Sequence, residues 1–380
     1  MPRAGWVKPQ DDQRLSDHIA LAALTRVFAP EVVDDVLVEH GRVERRNRLL
    51  PARLVVYYVL ALALFASCSY EEVMRKLVSG LQWAYGWPLE RTIPTKAALF
   101  QARRRLGSVP LRALYEKVAV PLSDPRVPGS SYRSWRLMGI HGSTMDVAAS
   151  GANVEHFGRP PSSRAGRGGV LPQVRVLGLV ECGSHAIVDA ALGTCEHREQ
   201  ALTESVVRSL RPGMLLLADR AFFSYRLWDL CRSSGADLLW RMPSDSVLRV
   251  EKRYEDGSFA SRVDPGTSAR HDDTEAIAVR VVEFVRIASG ADADHDAERI
   301  DRLLTTITDP EAAPADELAL LYSQRGDIEF PFDGLETHRR GRGVVLRSKT
   351  PAGVIQEVYG HLCVHYAVRS LMCPGSRSLP

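Results

Sequence analysis

Between Trp135 and Met242 strand-length apolar runs and helical stretches follow one another in a particular order, and that order limits the folds open to the chain more than any other feature. WRLMGI (135–140), PQVRVLGLVEC (172–182) and AIVDAALG (186–193) are short, β-rich and parted by Gly and Pro. A helix-patterned stretch near 199–210 then leads to LLLAD (215–219), and a second, through Trp228 to Ser233, leads to ADLLWRM (236–242). Three antiparallel-type strands followed by two helix–strand units bury a sheet beneath helices.

This succession predicts an RNase H-like α/β core. Around it the texture differs. Residues 12 to about 120 carry helical periodicity, with Pro and Gly mostly at joints. Ser16 can cap a helix through Phe28, Pro30 can open another, and Ser69 with Glu72 spells a capping box. In RTIPTKAALFQARRRLG (91–107) Thr95 is an N-cap, while Leu99, Ala102 and Leu106 share an inner face. That leaves Lys96, Arg103 and Arg104 as a basic outer face suited to DNA; the competing reading is a solvated basic face on a helical bundle. Residues 244–309 alternate in period two around Asp256-Gly257, a hairpin signal. The acidic stretch GADADHDAE (290–298) reads as a solvated hairpin tip. The expected organisation is thus an all-α N-terminal DNA-binding domain (1–130), an RNase H-like core (131–243 and 310–372) and an inserted β subdomain (244–309).

Bulk properties narrow the class. A chain of 380 residues exceeds one minimal core. With 45% apolar and 25% charged residues, it fits neither a disordered nor a fibrous protein. The net charge of +3 marks no nucleic-acid binder by itself, but 49 Lys and Arg suffice for local basic patches. Six cysteines without a CxxC pair read as reduced thiols. The longest apolar run, Leu54–Cys68, is shorter than the roughly 20 residues of a membrane span, so it predicts a buried helix. With no secretory pattern at the start, the cytoplasm is the expected location.

Two places carry candidate chemistry. Asp219 ends the apolar run LLLAD, where a carboxylate at the tip of a rigid strand faces a crevice and can hold a metal; the plainer role is a cap for the following helix. The helix expected at 316–336 sets Tyr322, Arg325, Glu329 and Glu336 within roughly 60° of one another on its wheel. Arg325 and Glu329 alone would read as an ordinary surface ion pair.

The spacing of Tyr322, Arg325 and Glu329 is similar to the signature of insertion-sequence transposases of the IS-four family. RLSDHIALAALTRVF (14–28), YYVLALALF (57–65), PQVRVLGLVECGSHAIVDAALG (172–193), LRPGMLLLADRAFFSYRLW (210–228) and VVLRSKTPAGVIQEVYGHL (344–362) resemble the same family, over nearly the whole chain. The resemblance implies a DDE enzyme. Three carboxylates would hold two Mg²⁺ ions, with Mn²⁺ as a substitute, for nicking and strand transfer. Asp219 and Glu329 match the second and third carboxylates. Tyr322 and Arg325 match residues that grip the backbone at the transposon end, Arg as a bidentate phosphate donor. The implied partner is duplex DNA at terminal inverted repeats, held by a homodimer in a synaptic complex.

The chain departs from that pattern where the first carboxylate belongs. The family motif is Ile-Asp-Gly-Thr; this chain has GIHGSTMD, which puts His141 in the place of the Asp. An imidazole is a poor ligand for Mg²⁺, which prefers hard oxygen donors. Asp146 is the next carboxylate along. Gly326 replaces a family Trp, Glu336 replaces a Lys that meets phosphate, and the chain stops soon after VHYAVRSLM where further helix would be expected. These departures leave two main readings: a DDE transposase with impaired catalysis, or a cleavage-deficient DNA-binding protein that occupies transposon ends.

Overall fold

The computed structural model describes residues 15–44, 46, 48–85, 93–160, 171–243, 246, 248–265, 276–286, 299–324 and 345–373. Two compact units result, one formed by residues 1–119 with 346–372 and the other by 120–345.

The first unit is helical: α1 (Leu15–Val27), α2 (Pro30–Glu39), α3 (Ala52–Leu64), α4 (Tyr70–Tyr85), α5 (Lys96–Leu106) and α6 (Val109–Val118). The capping box forms at the start of α4, where the Glu72 amide donates to Ser69 Oγ (3.2 Å) and the Ser69 amide to Glu72 Oε2 (3.4 Å). Thr95 caps α5 through the Ala98 amide. Helix α3 is the apolar run of the sequence, and from Leu54 to Leu62 every residue is buried. No described helix is long and apolar enough to cross a membrane. A helix apolar on all sides must be covered all round. Neighbours α1, α2, α4 and α5 contribute, and the largest share comes from a long helix far along the chain, Pro351–Met372. That segment, expected in the α/β core, belongs to the helical unit. Gly360 allows it to approach, since a Cβ there would stand 3.1 Å from the Val59 carbonyl oxygen.

The second unit holds β1 (Ser131–Tyr132), β2 (Trp135–Asp146), α7 (Gly151–Phe157), β3 (Gln173–Glu181), β4 (Ile187–Thr194), α8 (Glu199–Val206), β5 (Met214–Ala218), α9 (Tyr225–Arg232), β6 (Asp237–Arg241), β7 (Lys252–Arg253), β8 (Phe259–Val263), β9 (Ile277–Arg286), β10 (Arg299–Thr305) and α10 (Ala315–Ser323). The long helix Pro351–Met372 is α11. Strands run in the order β4-β3-β2-β5-β6-β10-β9-β8-β7. The β2–β3–β4 part is an antiparallel meander, and β5 and β6 lie parallel to β2. That is the RNase H-like arrangement. Trp228 of α9 and Trp240 of β6, both fully buried, meet edge to face at 5.3 Å and lock helix to sheet.

The β-rich segment expected as an inserted β subdomain extends this sheet. Strand β10 pairs with β6, Leu303 opposite Arg241, and β9, β8 and β7 follow outward. The buried pair Leu303 and Leu304 explains the merger, because an isolated ribbon could not cover them. The hairpin at Asp256-Gly257 forms, with Gly257 at φ +81°. Its Asp256 accepts from Arg280, which is fully buried and also donates to Ser258 Oγ (2.8 Å) and the Ala313 carbonyl (2.6 Å). The GADADHDAE stretch lies outside the described residues.

Burial alone would raise the Asp256 carboxyl; the hydrogen bonds from Ser258, the Arg280 guanidinium and the Ala315 amide outweigh it and hold the group below its ordinary value. A carboxyl depressed in the folded state stabilises above its unfolded value of 3.8 and loses that contribution as pH falls below it. Denaturant unfolding is therefore expected to show an acid-side loss of stability that Asp256→Asn removes. An acid limb identical in parent and variant would contradict this.

Candidate active site

Three parallel strands deliver side chains to one place. In the sheet Gly139 of β2 stands opposite Leu217 of β5, and Ala218 of β5 opposite Trp240 of β6. One step past Ala218 and Trp240 come Asp219 and Arg241; two steps past Gly139 comes His141, which faces Gly178 across the β2–β3 ladder. His141, Asp219 and Arg241 thus form one row across β2, β5 and β6, at the C-terminal ends of β5 and β6 and midway along β2, which runs on to Asp146. Residues in register on adjacent strands project to the same face. Ligands of open α/β sheets bind at such carboxyl ends.

Asp219 is partly exposed and also does the plainer work anticipated for it: its Oδ1 accepts the Arg220 amide at 2.6 Å and starts a single turn of 3-10 helix. Arg241 Nη1 lies 3.9 Å from Asp219 Oδ1, and Arg241 Nε lies 3.4 Å from Asp301 Oδ1. Arg241 went unremarked in the sequence, although it ends ADLLWRM as Asp219 ends LLLAD. Asp146 does not join the row. Five residues along β2, roughly 16 Å at strand rise, it falls on the opposite face of the pleat and accepts from Gln173 Nε2 at 2.8 Å.

Tyr322 reaches the same strand end from α10. It is buried, packs against Phe284, and its hydroxyl donates to the Ala218 carbonyl at 3.2 Å. In this structure it ties α10 to the strand that carries Asp219. Loss of that bond in Tyr322→Phe is expected to lower stability by about 1 kcal/mol in denaturant unfolding. A change below about 0.3 kcal/mol would speak against the tie. Arg325, Gly326, Glu329 and Glu336 lie outside the described residues.

Of the basic residues singled out on α5, Arg104 is exposed, and Lys96 stands over the Tyr70 ring at 5.5 Å. Arg103 is buried, which corrects its expected place on a DNA-facing surface. Its guanidinium donates to Gln356 Oε1, Ser348 Oγ and the Gly353 carbonyl, each at 3.0 Å. Those partners sit far along the chain, so nothing near Arg103 in the sequence announces them.

The donors in the row do not fit a pair of Mg²⁺ ions: one carboxylate, one imidazole and a guanidinium offer too few hard oxygens and bring a competing cation. Among the described residues no group of three or more His, Cys, Asp or Glu is placed to hold a metal.

Residues 18–116 match the family described as insertion element 4 transposase N-terminal, and residues 146–366 match the transposase DDE domain. The chain belongs to the DDE transposases of the IS4 kind, a family of DNA endonucleases and strand transferases whose domain generally uses divalent metal ions. It is 27% identical over 361 residues to the transposase InsG for insertion sequence element IS4 of Escherichia coli strain K12, covering 93% of this chain and 76% of the relative. Among solved structures, a piggyBac transposase synaptic complex with hairpin DNA is similar over 93% of this chain and 74% of its own, at 9% identity and a TM-score of 0.46.

Proposed function

We propose that the chain is a DDE transposase that binds duplex DNA at the terminal inverted repeats of an insertion sequence, as a homodimer holding two ends, with its strand cleavage and transfer crippled at the first carboxylate position. The observation that carries this is the row His141–Asp219–Arg241 across the three parallel strands. Asp219 stands as the second carboxylate of the family site. Glu329 is assigned the third by the spacing from Tyr322, whose hydrogen bond starts that segment beside Asp219. Arg325 keeps the family's end-gripping role in this proposal, while Tyr322, buried with its hydroxyl on the Ala218 carbonyl, positions the segment. The metal of an intact site is proposed as Mg²⁺, replaceable by Mn²⁺. The place of action is the cytoplasm, where bacterial DNA lies.

A second reading is a cleavage-deficient protein that occupies transposon ends. The guanidinium of Arg241 beside Asp219 favours it, because a fixed cation there opposes a bound dication. A binding assay run beside a cleavage assay, both on terminal-repeat duplex with Mg²⁺, separates the two. Specific binding with weak cleavage abolished by Asp219→Ala supports an impaired transposase. Specific binding with no cleavage supports the second reading, and no preference for the repeats overturns both.

A further inference from the structure

With Arg103 turned inward, the exposed positive charge of the helical unit gathers elsewhere. The end of α5 and the loop between α2 and α3 enclose a groove of about 640 Å³. Arg42, Arg46 and Arg48 line it from the loop, Arg104 and Arg105 from the helix, and all five are exposed. Arg42 Nη1 donates to the Arg105 carbonyl at 3.2 Å, pinning the loop to the helix end so that both groups of arginines share one wall. Gly107, at φ +73°, ends α5 beside this contact.

The acids nearby are already engaged. Glu44, the one acid lining the groove among the described residues, accepts the Ala52 amide at 3.0 Å and so serves the start of α3. Asp34, in a neighbouring recess that shares Arg46 and Arg48, is paired with Arg53. Among the described residues no ion pair engages any of the five arginines. Five guanidiniums facing one groove against a single occupied carboxylate form a site for a polyanion, and bidentate donors of this kind match phosphate.

We infer that this groove grips the phosphate backbone of duplex DNA without reading its bases. The inference rests on the DNA reading of the chain given above; to Arg104, already expected on the outer face of α5, it adds Arg42, Arg46, Arg48 and Arg105. Guanidiniums presented from a loop and a helix end suit backbone contacts that position a duplex; base recognition calls for a helix or ribbon laid in a groove of the DNA.

The test is fluorescence anisotropy of the full chain on two duplexes, one of random sequence and one carrying the terminal repeat, between about 50 and 200 mM NaCl. The variant Arg46→Gln/Arg48→Gln/Arg104→Gln/Arg105→Gln removes four exposed charges and leaves Arg42 to hold the loop. Each phosphate contact contributes about 0.9 to the slope of log K against log salt, so a flattening of about 3 to 4 units is expected, equal on both duplexes. A control removes four exposed charges from the other unit: Arg126→Gln/Arg226→Gln/Arg232→Gln/Arg262→Gln. It should keep the parent slope. Flattening below about two units, an equal loss in the control, or a loss confined to the repeat duplex overturns the groove assignment while the DNA reading stands. A parent chain with no salt-dependent binding to either duplex overturns the DNA reading itself.

Discussion

Unaltered, the chain is expected to nick terminal-repeat DNA in Mg²⁺ at a rate on the order of a thousandfold below that of its His141→Asp variant. The argument is one of charge. Two divalent cations carry four positive charges, of which three family carboxylates offset three. This chain offers Asp219 and, by its spacing, Glu329, and it sets Arg241 3.9 Å from Asp219. His141 occupies the strand position level with Asp219, so an Asp there would add its charge where the missing one belongs. Even about 4 kcal/mol of lost transition-state stabilisation gives a thousandfold. The measurement is release of nicked strand from a labelled end. Full recovery can require Glu336→Lys as well, since an anion there opposes phosphate. Vigorous nicking by the unaltered chain, abolished by Asp219→Ala, would show that the imidazole is no impediment. Asp146 is no substitute, bound as it is to Gln173 on the other face of the strand.

Arg103→Ala is expected to lower the thermal midpoint of the helical unit by about 10 °C, whereas Arg104→Ala, one residue away, should shift it by no more than about 2 °C. Arg103 makes three hydrogen bonds to Gln356, Ser348 and Gly353 in a buried setting. The three bonds share one guanidinium and are not additive; removing a buried charged partner as a whole costs roughly 3–5 kcal/mol. Differential scanning calorimetry on both variants decides it. Equal shifts would mean that Arg103 is not held as the structure has it.

The parts of the fold legible in the sequence are those set by local rules. The capping box at Ser69–Glu72, the cap at Thr95 and the hairpin at Asp256-Gly257 each depend on neighbours within a few residues, and each forms. The order of strands from Trp135 to Arg241 was readable because each is a separate apolar run. What was not readable depends on distant partners. Arg103 reads as part of the basic outer face of α5, and nothing near it in the sequence says that a glutamine some 250 residues on will take its guanidinium. Period-two alternation finds β9 and β10 but not that β10 docks on β6. The row at the strand ends was half legible. Asp219 and His141 stood out by type, while Arg241 looked like any residue closing a strand, and only the register sets it in line.

The cover supplied to α3 by α11 has a consequence for how the protein is made. Helix α3, apolar on every side, leaves the ribosome long before part of its wrapping, the helix Pro351–Met372, has been made. Until that stretch emerges, the helical unit has an uncovered seam exposed to aggregation and proteolysis. A product terminated anywhere before Pro351 would therefore lack a finished helical unit even with every residue of the arginine groove translated. Prematurely stopped chains should accordingly be cleared by the cell before they can compete with full-length protein for DNA.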